Sequence, residues 1–231
     1  MEKTRVNKKY TTLLLDVDNT LLDFSLCETV SITQTFKELN LPYDDESVKL
    51  YKKINDDCWK ELEKGLLTFN QVYTERFYRY LKLIDKSSDV DVINEKYFSY
   101  LSQAAYKMDG CDEILDYLRE RYQLHIVTNG AAFNQHSRIR ISGIINKIDG
   151  LFISEEIGFK KPQKEFFDFV LDKIKEKDKS KILIIGDSLS SDIKGGINAG
   201  IDTCFVNFNK LQPDIECTYN VNNLYELKEI L

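Results

Sequence analysis

The chain has 231 residues, 42% hydrophobic and 30% charged, which suits one large α/β domain or a core with an insert and excludes a disordered chain. Its formal net charge of −6 excludes a broad nucleic-acid surface, yet a small phosphate ester needs only a metal and one or two local lysines. Five scattered cysteines (Cys27, Cys58, Cys111, Cys204, Cys217), with no CxxC pair, indicate neither a disulfide framework nor a zinc site.

In chain order, the basic stretch Met1 to Tyr10 is followed by only three leucines before Asp16. That run is too short for a signal peptide or a membrane span, so a cytoplasmic protein with no membrane partner is expected. Thr12–Val17 reads as the first strand. From Phe24 to Tyr106 the pattern is helical, near 25–40, 46–64, 69–84 and 91–106, with breaks at Pro42, Asp44-Asp45 and Ser87-Ser88-Asp89. The insert is expected to act as a lid over the strand ends. Beyond it, helices over Asp112–Arg121, Asn134–Ser142, Lys164–Lys177 and Ser191–Ala199 alternate with strands over Leu124–Thr128, Leu151–Ser154 and Ile182–Ile185. Thr203–Val206 is a fifth strand candidate. Near-continuous Leu, Ile and Val runs mark parallel strands covered on both faces. The expected fold class is therefore α/β, a doubly wound parallel sheet (residues 1–23 and 107–231) carrying an inserted all-helical domain (24–106).

The polar residues gather where such a sheet binds ligands, beyond the carboxyl ends of its strands. Asp16-Val17-Asp18-Asn19-Thr20 closes the first strand, and carboxylates at i and i+2 invite a divalent cation. Alone, the pair is equally two solvated acids. Thr128-Asn129-Gly130 closes the second strand and leads into a helix, an arrangement that suits phosphate oxygens as well as an ordinary cap. Phe159-Lys160-Lys161-Pro162 follows the third. Pro162 is expected to start the next helix, and its ring restricts Lys161, whose fixed ammonium can neutralise phosphate charge. Gly186-Asp187-Ser188 closes the fourth strand, with Asp192 in the helical turn beyond it.

These four features, in this order, resemble the motifs of the haloacid dehalogenase (HAD) superfamily of phosphohydrolases, and the helical insert is similar to that family's C1-type cap. Ile157-Gly158-Phe159-Lys160-Lys161-Pro162, the stretch from Gly186 to Gly196, Asn198-Ala199-Gly200 and Trp59-Lys60-Glu61-Leu62-Glu63-Lys64-Gly65 resemble the YjjG/YfnB branch, whose members are pyrimidine nucleoside 5′-monophosphatases. The resemblance implies that Asp16 is a covalent nucleophile and Asp18 the acid–base. It implies Mg²⁺ held by Asp16, Asp187 and the Asp18 backbone carbonyl, with Asp192 supporting through water. Thr128, Asn129 and Lys161 are then the phosphate-binding residues, Lys161 counting also among the catalytic ones. Gly195, Gly196 and Gly200 read as packing and capping positions.

Aromatics in the insert (Trp59, Phe69, Tyr73, Phe77, Tyr78, Tyr97, Phe98) recur at helical spacing and read first as core. Phe24, just past the first motif, is the candidate for substrate specificity. His125 and His136 carry no catalytic pattern. The expected partner is a small phosphate ester and not a nucleic-acid polymer. Rival readings are a sugar-phosphate phosphatase or phosphomutase on the same fold, a phospho-accepting signalling domain without turnover, and an inactive binding module. Asp18 speaks against a dehalogenase, which has no leaving oxygen to protonate. The helical insert speaks against a signalling receiver.

Overall fold

The computed structural model describes residues 9–231, so the basic stretch Met1–Lys8 lies outside the described residues. The strands are β1 (Thr12–Leu15), β2 (Gln123–Thr128), β3 (Gly150–Ile153), β4 (Ile182–Gly186), β5 (Asp202–Val206) and β6 (Tyr219–Val221). The α-helices are α1 (Phe24–Glu38), α2 (Asp45–Glu63), α3 (Phe69–Leu83), α4 (Val90–Leu101), α5 (Cys111–Arg119), α6 (Ala132–Ile141), α7 (Ser154–Ile157), α8 (Lys164–Lys173), α9 (Lys194–Ala199) and α10 (Leu227–Ile230).

The chain divides into two compact units. The first holds the sheet and runs from the first described residue to Leu22, then Lys107–Gly130 and Gly143–Leu231. Its six strands are all parallel, in the order β3-β2-β1-β4-β5-β6. Leu13, Leu14 and Leu15 are buried because β1 is paired on both edges and covered on both faces. Phe166, Phe167 and Val170 of α8 pack with Leu14, Val127, Ile182 and Ile184 into one cluster. Strand order reverses between β1 and β4, so the crevice of this sheet lies beyond the carboxyl ends of those two strands.

The second unit holds Asp23–Tyr106 and Ala131–Ser142. Helices α1, α2 and α4 start at side-chain caps: Asp23 accepts from Leu26 N–H, Asp44 from Ser47 N–H, and Asp89 from Val92 N–H. Thr68 and Gln71 form a reciprocal capping box at α3. Phe36, Tyr51, Phe77, Tyr80 and Tyr97 are buried in its core, with Trp59, Phe69 and Phe98 packed against it. Tyr78 alone of the aromatics singled out above is exposed.

Several elements differ from the sequence reading. Strand β6, three residues at the sheet edge, is unforeseen because Tyr219-Asn220-Val221 carries no apolar run. Ser154 opens the short helix α7 instead of ending a strand. Pro162 stands in a turn, where the Lys160 carbonyl accepts from Gln163 N–H, and α8 begins only at Lys164. That helix stops at Lys173 because Ile174 turns extended and buries itself in the sheet cluster. Helix α4 likewise ends at Leu101, five residues early. Helix α6, which follows β2 in the chain, belongs to the helical unit.

Candidate active site

Asp16 follows β1, Asp187 follows β4, and Asp192 lies on a widened π-helical turn, Leu189–Ile193, that precedes α9. A carboxylate oxygen from each lies within 4.8 Å of the other two. The sheet does this by geometry: β1 and β4 are neighbours, in register from Thr12 opposite Ile182 to Leu15 opposite Ile185. Gly186 is needed beneath the cluster, since a Cβ there would land on the Asp192 carboxylate. Gly195 and Gly196 admit the Phe167 ring and the Ile184 and Thr203 side chains, and Gly200 caps α9 at φ 71°.

Lys161 enters this cluster from the loop between α7 and α8, with a side chain 1% exposed. Its ammonium donates to Asp16 Oδ1 at 2.6 Å, to Asp192 Oδ1 at 2.7 Å and to the Val127 carbonyl at 2.9 Å. Asp192, fully buried, also accepts the Ser188 N–H on Oδ2 at 3.1 Å, so each of its oxygens holds a protein donor. Thr20 and Asp187 bond reciprocally: the Thr20 hydroxyl donates to Asp187 Oδ1 and accepts the Asp187 N–H, both at 3.1 Å. Asn19 makes the intervening turn in the left-handed region, at φ 61°, where Asn is tolerated.

Burial dominates the electrostatics. It pushes the Asp16 carboxyl up to about 7, against the Lys161 charge and with the help of Asp192 and Asp18. Asp187 is held well above the usual carboxylate range by burial and by the charges of Asp16 and Asp192. Burial alone lowers the Lys161 ammonium, but the two carboxylates overcome it and hold it above its usual value. Strongly perturbed groups converging at a sheet's switch point mark a candidate reactive site.

Of the residues singled out in the sequence, Asp16, Lys161, Asp187 and Asp192 are brought together. Asp18 is half-buried one turn on, outside the carboxylate trio. Thr128 is buried at the end of β2, its Oγ1 accepting the Gly130 N–H at 3.1 Å. The Asn129 side chain is engaged with the Lys161 backbone. Phe24 opens α1 in the helical unit, half-buried, with the Arg138 guanidinium 5.4 Å from its ring centre. Thr20 and Ser188 N–H are the site groups that sequence reasoning left without a role. Both had a signal in their motifs, Thr20 in the first and Ser188 in the fourth. All five cysteines are free. Among the described residues no helix is long and apolar enough to cross a membrane.

A buried lysine among three clustered carboxylates, beyond the carboxyl ends of a parallel sheet, makes this an α/β protein with a candidate catalytic site. The haloacid dehalogenase-like hydrolase family model matches residues 13–206, and the chain belongs to that family. It is 38% identical to the HAD-hydrolase YfnB of Bacillus subtilis, covering 97% of this chain and 96% of that protein. The crystal structure of YfnB, bound to magnesium, superposes with a TM-score of 0.91 over 96% of this chain and 99% of that one. The pyrimidine 5′-nucleotidase PynA of Streptococcus pneumoniae is 35% identical, covering 96% of this chain and 95% of its own. The pyrimidine 5′-nucleotidase YjjG of Escherichia coli is 30% identical over 96% of this chain and 98% of its own.

Proposed function

We propose that this enzyme is a phosphoric monoester hydrolase of the cytoplasm, acting on pyrimidine nucleoside 5′-monophosphates through Asp16. The observation that carries the chemistry is the buried pairing of Asp16 with Lys161 at the end of β1. Lys161 holds one Asp16 oxygen, which leaves the other to attack phosphorus. A bond forms between that oxygen and phosphorus as the ester oxygen leaves, and Asp18 gives the departing alkoxide its proton. Asp18 then takes a proton from the water that cleaves the aspartyl-phosphate. Thr128 and the charge of Lys161 support the transferring phosphoryl group.

The donor set fits Mg²⁺: three clustered carboxylates offer hard oxygens, and Asp187 remains half-accessible. Asp16, Asp187 and the Asp18 carbonyl are the groups that would hold the ion directly. Asp192, with its oxygens on Lys161 and Ser188, would support it through water. When bound, the ion supplies positive charge against the phosphoryl oxygens.

The substrate class rests on the names of two relatives at 30% and 35% identity. Phe24 is the proposed ring for the base. The test is phosphate release from uridine, thymidine, cytidine and purine monophosphates and from hexose phosphates, with Mg²⁺ or with a chelator. The reading expects the highest kcat/KM for a pyrimidine nucleotide, lost on chelation and restored by Mg²⁺. A clear preference for a hexose phosphate would contradict the substrate assignment. Full activity after chelation would contradict the metal.

A further inference from the structure

Asn129 stands in the short loop between β2 and α6, and both ends of its side chain meet one residue. Its Oδ1 accepts the Lys161 N–H at 2.9 Å and its Nδ2 donates to the Lys161 carbonyl at 2.9 Å. An amide that engages both backbone groups of a single residue does what a neighbouring strand does, and it fixes the chain on each side of that Cα. Few positions need such fixing more than Lys161. Its long side chain has many rotamers, yet its ammonium must meet three acceptors at 2.6 to 2.9 Å in a closed pocket. Those three bonds match the three N–H donors of an ammonium, so Lys161 acts on a phosphoryl group through its charge. The remaining anchors of the loop act on its flanks: Gln163 bonds the Lys160 backbone, and Asn198 donates to the Pro162 carbonyl at 3.2 Å.

We propose that Asn129 is a positioning residue, a clamp on the Lys161 backbone that keeps the ammonium against Asp16, and that its side chain is not a phosphate ligand. The proposal rests on the reading of Asp16 as nucleophile and adds a residue to it. Removing the clamp lets the Lys161 backbone pivot, and the ammonium then loses its fixed place beside the reacting carboxylate. The step that suffers is the chemistry. Binding of the phosphoryl group is nearly spared, because no bond to phosphate is removed and the ammonium's charge stays close by.

A double-mutant cycle tests this with four proteins: wild type, Asn129→Ala, Lys161→Gln and the pair together. Lys161→Gln keeps an amide donor for the buried carboxylates. The readouts are kcat on the preferred nucleotide, the dissociation constant for inorganic phosphate measured by calorimetry, and the melting temperature. Asn129→Ala is expected to lower kcat about ten- to a hundredfold, the usual range for a residue that orients another. Its inorganic phosphate affinity stays within about twofold, and it adds little to the loss already caused by Lys161→Gln. Asn129→Asp, which keeps the acceptor for the Lys161 N–H and loses the donor, falls between wild type and Asn129→Ala. It also serves if the alanine variant does not fold. Multiplying losses in the double variant, or a phosphate affinity weakened tenfold by Asn129→Ala, would make Asn129 a direct ligand and overturn the proposal. So would wild-type kcat in both Asn129 variants while Lys161→Gln is impaired. Wild-type kcat in Lys161→Gln would instead overturn the Asp16–Lys161 reading itself, so the two failures are told apart.

Discussion

Three carboxylates and one ammonium converge at the ends of β1 and β4, and their charges decide what a substitution does there. Asp16→Asn removes one of three crowded negative charges together with one partner of Lys161, two effects of opposite sign. Turnover is expected to vanish while stability stays within about 1 kcal/mol of wild type; substantial phosphatase activity in this variant would remove Asp16 from its role. Lys161→Met differs, because it strips Asp16 and Asp192 of their shared counter-ion. Unfolding is expected to become easier by about 3 kcal/mol, with activity lost. Lys160→Met should stay within about 0.5 kcal/mol and keep its activity. Comparable losses in the two variants, by denaturant melts and initial rates, would refute the distinction. Asp16, Lys161 and Asp187 are legible in the sequence because each follows an apolar strand in the order a doubly wound sheet requires. The engagement of Asn129 is not, since its partner lies 32 residues away and the amide looks like any helix-capping residue.

At the scale of the helices, α1, α2 and α3 bury a polar chain inside the aromatic core. Asn55 donates to Glu28 at 2.7 Å, and Arg76 donates to Asn55 at 3.2 Å while its guanidinium carbon lies 4.7 Å from the Tyr97 ring centre and 4.9 Å from that of Phe77. Lys52 lies 3.8 Å from the second Glu28 oxygen. Burial pushes Glu28 up to about 7, with Lys52 and Arg76 opposing. Its folded pKa therefore exceeds the unfolded value of 4.5, and the folded state binds the proton more tightly. The stability this provides is complete below pH 4.5 and is lost as pH rises through about 7. Glu28→Gln mimics the protonated form, so its melting temperature relative to wild type should climb between pH 5 and pH 8, reaching roughly 3 kcal/mol in stability at most. A difference that does not change with pH would contradict the charge-burial argument. The helices themselves are legible, through apolar spacing and through breaks at Asp44 and Asp89 that prove to be caps. The chain from Glu28 to Arg76 is not: its members are separated by 27 and 21 residues, and nothing in their spacing marks them as partners.

Across the whole molecule, the alternation of strands and helices is enough to predict a doubly wound sheet, and the β3-β2-β1-β4-β5-β6 order puts Asp16 and Asp187 on adjacent strand ends. Strand β6 escapes because edge pairing with β5 forms it, without help from its own composition. The grouping of α6 with the helical unit escapes for a similar reason: Ala131 joins the buried aromatic cluster and Arg138 donates to the Ala104 carbonyl at 3.0 Å, contacts that chain order conceals. What unites sheet, loops and site is the claim that phosphate passes through Asp16. Asp18→Asn makes that visible, because Asp18 is assigned both to protonate the leaving group and to activate water. A nitrophenyl ester needs little help in leaving, so the first step survives in this variant while the second stalls. Rapid mixing with nitrophenyl phosphate at saturating Mg²⁺, followed by acid quench and peptide mass analysis, is the direct measurement. The account predicts a burst of nitrophenol equal to the enzyme concentration and a phosphoryl group on the peptide carrying Asp16; no burst, or a phosphoryl group on any other residue, would contradict it.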